Sequence, residues 1–243
     1  MPVDPSLEPT RRRHAAQLWT MRAHAELEAA ARFSRFADEL AKLDAPAQVI
    51  ELAQSAAVDE RRHQVRCDEL VAYFGGEPSG AREQPAKPLR CDLTEPRERM
   101  LYEVVSMSCV TESLSTALLL EIQTRCEDPR VRAVVHEIVR DEVQHARLGW
   151  LHLAHEARRG PSLAWLGSRL PAMLRGTLDT PELFADGPGA GDQLDGLGGL
   201  PRANRREIFV QCLTEVVFPG LAHSGVDTSA AQAWLDQLNT RPG

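Results

Sequence analysis

Residues 58–67 read VDERRHQVRC and residues 140–149 read RDEVQHARLG. Each holds the frame Asp-Glu-x-x-His: Asp59, Glu60 and His63 in the first, Asp141, Glu142 and His145 in the second. Four Asp-Glu dipeptides occur, at 38–39, 59–60, 68–69 and 141–142, and two of them have His three residues after the Glu. Chance would give that pairing under about 1 % of the time. Spacing i, i+3 places Glu and His on one face of a helix. In both frames that face is apolar: Ala53, Ala56, Cys67 and Leu70 surround the first, and Val135, Ile138 and Leu148 the second. Charged groups on a core-facing stripe demand counter-charge.

Working outward from the two frames, the chain reads as four long helices, from about Thr10 to Leu43, Ala47 to Phe74, Pro96 to Cys126, and Pro129 to Arg159. Asp44-Ala45-Pro46 breaks the first pair, because a residue before proline avoids helical angles. Gly75-Gly76 ends the second helix, and Asp128-Pro129 starts the fourth. Short turns join helices 1 to 2 and 3 to 4, so each pair is an antiparallel hairpin. The Pro-containing link from Gly75 to Glu95 is long enough to run the length of a bundle. Residues 1–159 are therefore expected to form the bundle. Residues 160–243 are expected to be a helical extension packed on it, with a fifth helix, a flexible loop over 185–199, a sixth helix interrupted at Pro219, and a short seventh.

The remaining two helices supply matching acids. Helix 3 carries Glu112 between Val105, Cys109 and Leu119 on its apolar stripe. Helix 1 offers Glu26 and Glu28. Glu26 shares a face with Leu18, Trp19, Ala29, Ala30, Phe33 and Ala37, whereas Glu28 lies with Gln17, Arg32, Arg35 and Glu39, so Glu26 is chosen. Four carboxylates and two imidazoles then converge, and two divalent cations would neutralise the four glutamates.

The set Glu26, Glu60-x-x-His63, Glu112, Glu142-x-x-His145 resembles the ferritin-like di-iron carboxylate proteins, over residues of roughly 10–158. The resemblance implies an all-α fold, a ferritin-like four-helix bundle with a long crossover between helices 2 and 3. It implies that these six residues bind two iron ions, with Fe/Fe or Mn/Fe as the pair. It gives Asp59 and Asp141 the task of hydrogen-bonding ligand histidines. Thr116, four residues after Glu112, occupies a place where related monooxygenases carry a threonine near the dioxygen side. Two features of particular members are missing: aminobenzoate N-oxygenase-like proteins have a histidine where Ile138 stands, and rubrerythrins have a rubredoxin-type cysteine cluster. The activity implied is a non-haem di-iron oxidase or oxygenase. It would take dioxygen as co-substrate, a small organic substrate, and electrons from a ferredoxin or reductase. The alternatives are a ferroxidase that handles iron as substrate, and a helical protein with a vestigial site.

Composition narrows the partners. The net charge is −7 and Arg11-Arg12-Arg13 is the one basic run, so nucleic acid is not expected. No apolar run approaches a membrane span and no secretory signal is read at the N-terminus, so no membrane association is expected. Five cysteines without a C-x-x-C pair fit a reducing, cytoplasmic setting. The long crossover and the extension would crowd the outer surface of a closed shell, so a monomer or small homo-oligomer is expected. Cys109 reads as a small core residue. His24 and His136 fall off the metal face, and His152 reads as exposed.

Overall fold

A computed structural model describes residues 7–89, 92–160, 162–178 and 193–240. Regular structure among them is helical, apart from one bridge between Asp195 and Gly199. Helix α1 spans Pro9–Lys42 and α2 Ala47–Tyr73. The third long helix, Pro96–Arg125, comprises α3 (Pro96–Val104), a π-helical turn (Val105–Thr111) and α4 (Glu112–Arg125). Helix α5 spans Pro129–Arg158. Each expected long helix is thus present within a residue or so of its expected ends.

The ends have local causes. After α1, Asp44 takes a left-handed φ of 52° and Ala45 N–H donates to Leu40 O at 3.0 Å, which closes the helix with a Schellman-type turn before Pro46. Gly76 N–H does the same to Val71 O at 2.9 Å after α2. The Asp128 carboxylate caps α5, accepting from Arg130 N–H at 2.8 Å and from the Tyr73 hydroxyl at 2.7 Å. One side chain thereby starts α5 and ties it to the end of α2.

Helix α1 packs along α2, α2 along α5, and α5 along the π turn and α4. The link after α2 turns back on itself: Ser79 N–H donates to Asp68, Arg61 clasps Glu83, and Leu89 N–H reaches Glu103 on α3. The described residues of this link thus run back along α2, from Asp68 past Arg61, to a contact with α3. Buried apolar residues fill the interior, among them Trp19, Phe33, Phe36, Leu70, Ile138 and Leu148. The π turn was not expected. It inserts a residue just before Glu112 and so re-aims α4 relative to α3.

By length and composition Pro96–Arg125 could cross a membrane, contrary to the sequence expectation that no stretch comes close. Most of its apolar residues are buried in the core, Leu120 being an exception, and it carries two buried acids, Glu103 and Glu112.

Beyond α5 the expectations hold less well. The fifth helix is two short pieces, α6 (Ala164–Gly167) and α7 (Leu170–Leu178). The sixth is α8 (Arg202–Gln211), a second π turn (Cys212–Val217) and α9 (Phe218–His223), followed by α10 (Ser229–Thr240). The interruption expected at Pro219 is therefore a change of winding just before it. A π turn displaces the carbonyl that would clash with the proline ring, so the helix continues.

The loop expected to be flexible over 185–199 falls partly outside the described residues, and the rest of it is fixed. Leu194, Leu197 and Leu200 are buried. The Trp19 indole N–H donates to Leu197 O at 3.0 Å and Arg22 donates to Gly198 O at 2.9 Å. Arg11 donates to the carbonyls of Gln193 and Asp195, and Arg125 pairs with the Asp195 carboxylate. Sequence composition suggested mobility, but the glycines here allow a tight turn against α1. Gly198 has φ +106°, and a Cβ on it would sit 2.4 Å from the Trp19 ring.

Gly198→Ala should therefore destabilise the chain by about 2–4 kcal/mol in urea unfolding, from overlap added to backbone strain. Gly160→Ala, with φ +101° but open space around it, should cost only about 1 kcal/mol. Equal losses would show that Trp19 does not grip this loop.

Candidate metal centre

The site forms where α2 and α5 run antiparallel. Glu60, His63, Glu142 and His145 are each at most 3 % exposed, and Glu112 of α4 is 4 % exposed. Glu26 of α1 is the least enclosed, with 15 % of its side chain accessible. Glu28, its rival on α1, is exposed, as the phase of the apolar stripe required.

Both histidines turn Nδ1 toward the acids. His63 Nδ1 lies 3.3 Å from Glu60, 3.7 Å from Glu26 and 3.8 Å from Glu142. His145 Nδ1 lies 3.1 Å from Glu60 and 3.2 Å from Glu142. The rings stand 5.8 Å apart, and Phe33 closes one side at 5.4 Å from His145.

The ligand atoms fall into two groups of four. Glu26, Glu60, His63 and Glu142 form one, and Glu60, Glu112, Glu142 and His145 the other; within each, the atoms lie within 4.8 Å of one another. Glu60 and Glu142 belong to both. This buried cluster can hold a metal ion, and mixed carboxylate–imidazole donors suit a first-row transition ion.

The outward nitrogens meet the motif aspartates in a crossed pattern. His63 Nε2 on α2 lies 3.2 Å from Asp141 on α5. His145 Nε2 on α5 lies 3.5 Å from Asp59 on α2, beyond a formed hydrogen bond. At His63, an Nε2–H held outward by Asp141 leaves the Nδ1 lone pair facing the carboxylates, which is the tautomer a metal ligand needs.

Without a metal, protons balance the charge. Burial and then the Glu142 and Glu60 carboxylates push Glu112 well above the usual carboxylate range. Burial opposes a charge on His63, but its hydrogen bonds to Glu26 and Glu60 prevail and drive it up to about 11. His145 is likewise raised: burial works against the proton, and Glu60 and Glu142 outweigh it. Burial pushes Asp59 and Asp141 up, yet their histidine and arginine neighbours hold both below the usual range.

Other expected residues fall as follows. The Thr116 hydroxyl donates to Glu112 O at 2.7 Å, so it serves the helix backbone. Cys109 is buried, and His24 and His136 are exposed. His152, read as exposed, is buried at 3 %, and no described residue hydrogen-bonds its Nδ1. Burial, with His155 and Arg97 nearby, depresses it to about 4. Its i+7 relation to His145 gave the right face, but its burial depends on neighbours such as Arg97 of α3, which the linear sequence does not place there. Sequence reasoning missed Glu103, fully buried and paired with Arg35 on α1. It also missed Arg62, which touches both motif aspartates.

No family model matches the chain, and no curated protein matches it.

The metal-free protein should lose stability as pH rises. The raised Glu112 keeps in the native state a proton that the unfolded chain gives up, so stability falls as pH climbs through that window. The His63 contribution is complete below about 6.5 and is lost as pH rises through about 11, in the same direction. Urea unfolding of metal-free protein should therefore give a smaller free energy at pH 8 than at pH 6. Glu112→Gln should be more stable than the parent at pH 8 by about 1–2 kcal/mol, with a shallower pH slope. Parallel pH profiles would show that Glu112 is not crowded by its neighbours.

Proposed function

We propose that this chain is a ferritin-like four-helix di-iron protein, an oxidoreductase that activates dioxygen to oxidise a small organic substrate. The observation that carries this reading is the pair of overlapping ligand groups sharing Glu60 and Glu142. A single-ion site has no use for two such groups. Two ions would be held by Glu26 and His63 in one group and by Glu112 and His145 in the other, with Glu60 and Glu142 common to both.

The donor set fits this cofactor. Two divalent ions would match four glutamates in charge, and they would replace the protons that balance the cluster without metal. Nitrogen and oxygen donors suit iron, and a manganese–iron pair equally. Bound iron would supply the electrons for dioxygen reduction, chemistry that no protein side chain here provides. The chain's own residues bind, orient and enclose. Glu60 and Glu142 would be ligands common to both ions, Asp141 would orient the His63 ring with Asp59 standing behind His145, and Phe33 covers His145 in an interior that excludes water. Electrons for repeated turnover would come from a ferredoxin or reductase, or from the substrate.

Protein made with iron should retain about two ions per chain, and His63→Ala or Glu60→Ala should reduce that retention by about tenfold or more. Metal analysis and thermal melting check this, since an ion bound to the native state alone must raise the melting temperature. Aerobic titration with ferrous iron separates oxygenase from ferroxidase. Oxidation that slows sharply after about two ions, in a small particle, supports the oxygenase. Uptake of tens of irons per chain would replace it with iron handling, and absence of any bound transition metal would end the di-iron reading.

A further inference from the structure

We propose that Arg62 is a positioning residue that fixes both histidines at once and so couples the two halves of the metal site, an inference that rests on the two-metal reading above. One nitrogen of its guanidinium, Nη2, lies 2.8 Å from Asp59 Oδ1 and 2.7 Å from Asp141 Oδ2. Those aspartates sit behind His145 and His63 respectively, each on the helix opposite its histidine. Arg62 thus stands at the apex of two arms, Asp141–His63 at 3.2 Å and the looser Asp59–His145 at 3.5 Å, whose inner ends are the two Nδ1 atoms.

The arrangement follows from charge. Two carboxylates drawn toward one point between α2 and α5 repel each other, and a cation between them removes that repulsion. A guanidinium suits the place because it presents several fixed N–H donors and keeps its charge. Among the described residues Arg62 is the one that touches both aspartates. Arg140 also reaches Asp141, at 3.2 Å, but is 67 % exposed and touches that arm alone. The second motif has Gln144 at the place equivalent to Arg62, and Gln144 is exposed, in contact with Arg147. The repeat is therefore unequal: one arginine from the first motif serves both histidines. Its remaining contact, Nε to Glu137 Oε1 at 3.4 Å, belongs to the surface and offers a control.

Loss of Arg62 should loosen both arms together. The test is titration of full-length metal-free protein with cobalt(II), read by visible absorption and fitted for two sites, on the parent, Arg62→Gln, Arg62→Lys and Glu137→Gln. Circular dichroism and melting of the metal-free forms run alongside. Arg62→Gln should weaken both sites by about 10- to 100-fold, the usual range for a group that orients a ligand. Glu137→Gln should match the parent. Arg62→Lys, one point charge in place of a fork, should fall between, and it decides the matter if Arg62→Gln does not fold. A surface ion pair with a merely structural role would lower metal-free melting and leave both affinities alone. Unchanged affinities, weakening of one site only, or an equal loss in Glu137→Gln would each overturn the proposal. A parent protein that takes up no cobalt would overturn the metal reading and this proposal together, whereas normal uptake by the parent and by both Arg62 variants overturns this proposal alone.

Discussion

Like charge forced into a shared interior is the constraint from which the rest of this structure follows. Glu26, Glu60, Glu112 and Glu142 come from four separate helices to one depth, and three of them are almost fully buried. Carboxylates this close cannot all stay ionised without cations. The surrounding layers answer that demand in alternation. Imidazoles face the carboxylates, aspartates stand behind the imidazoles, and Arg62 closes over the aspartates at the surface. Each layer has the opposite sign to the one inside it. A cluster of this kind costs stability when empty and is tolerated where a bound ion returns the loss.

The same constraint explains why the helices are long and where they are irregular. Each must bring its acid to a common depth while its ends are tied elsewhere, by Asp128 to Tyr73 at one end of the bundle and by Arg97 to Glu156 at the other. The π turn over Val105–Thr111 lies directly before Glu112, where an added residue changes which side of α4 faces the cluster. Leu118, Leu119 and Ile122 follow it on the buried side of α4. The second π turn serves a different need, carrying the helix past Pro219 so that Gly220 can lie against Trp150 of α5.

Part of the C-terminal region is held directly on the long helices. Residues 193–200 are held by Trp19, Arg22 and Arg11 of α1 and by Arg125 of α4. Arg22 lies one turn from Glu26 on the same helix. The loop that covers the end of the bundle and the acid nearest to solvent are therefore positioned by one stretch of α1.

The sequence by itself determined the four long helices, the hairpin pairing and the candidate ligands. These depend on short-range rules: proline and glycine end helices, and residues three or four apart share a face. The choice of Glu26 over Glu28 came from phase alone, and Glu28 is exposed. Tertiary structure decided whatever depends on which surface covers which. Glu103 looks like an ordinary helix acid until Arg35 and the crossover at Leu89 close over it. His152 lies on the right face, but its burial rests on neighbours distant in sequence. The glycines over 193–199 are compatible with mobility or with a tight turn, and only the α1 side chains that grip their carbonyls select the turn. The crossing of Asp59 to His145 and Asp141 to His63 through one arginine is likewise invisible in a linear motif. It exists only because α2 and α5 run antiparallel at a register that sets residue 62 beside residue 141, and that register is set by packing of the whole interior.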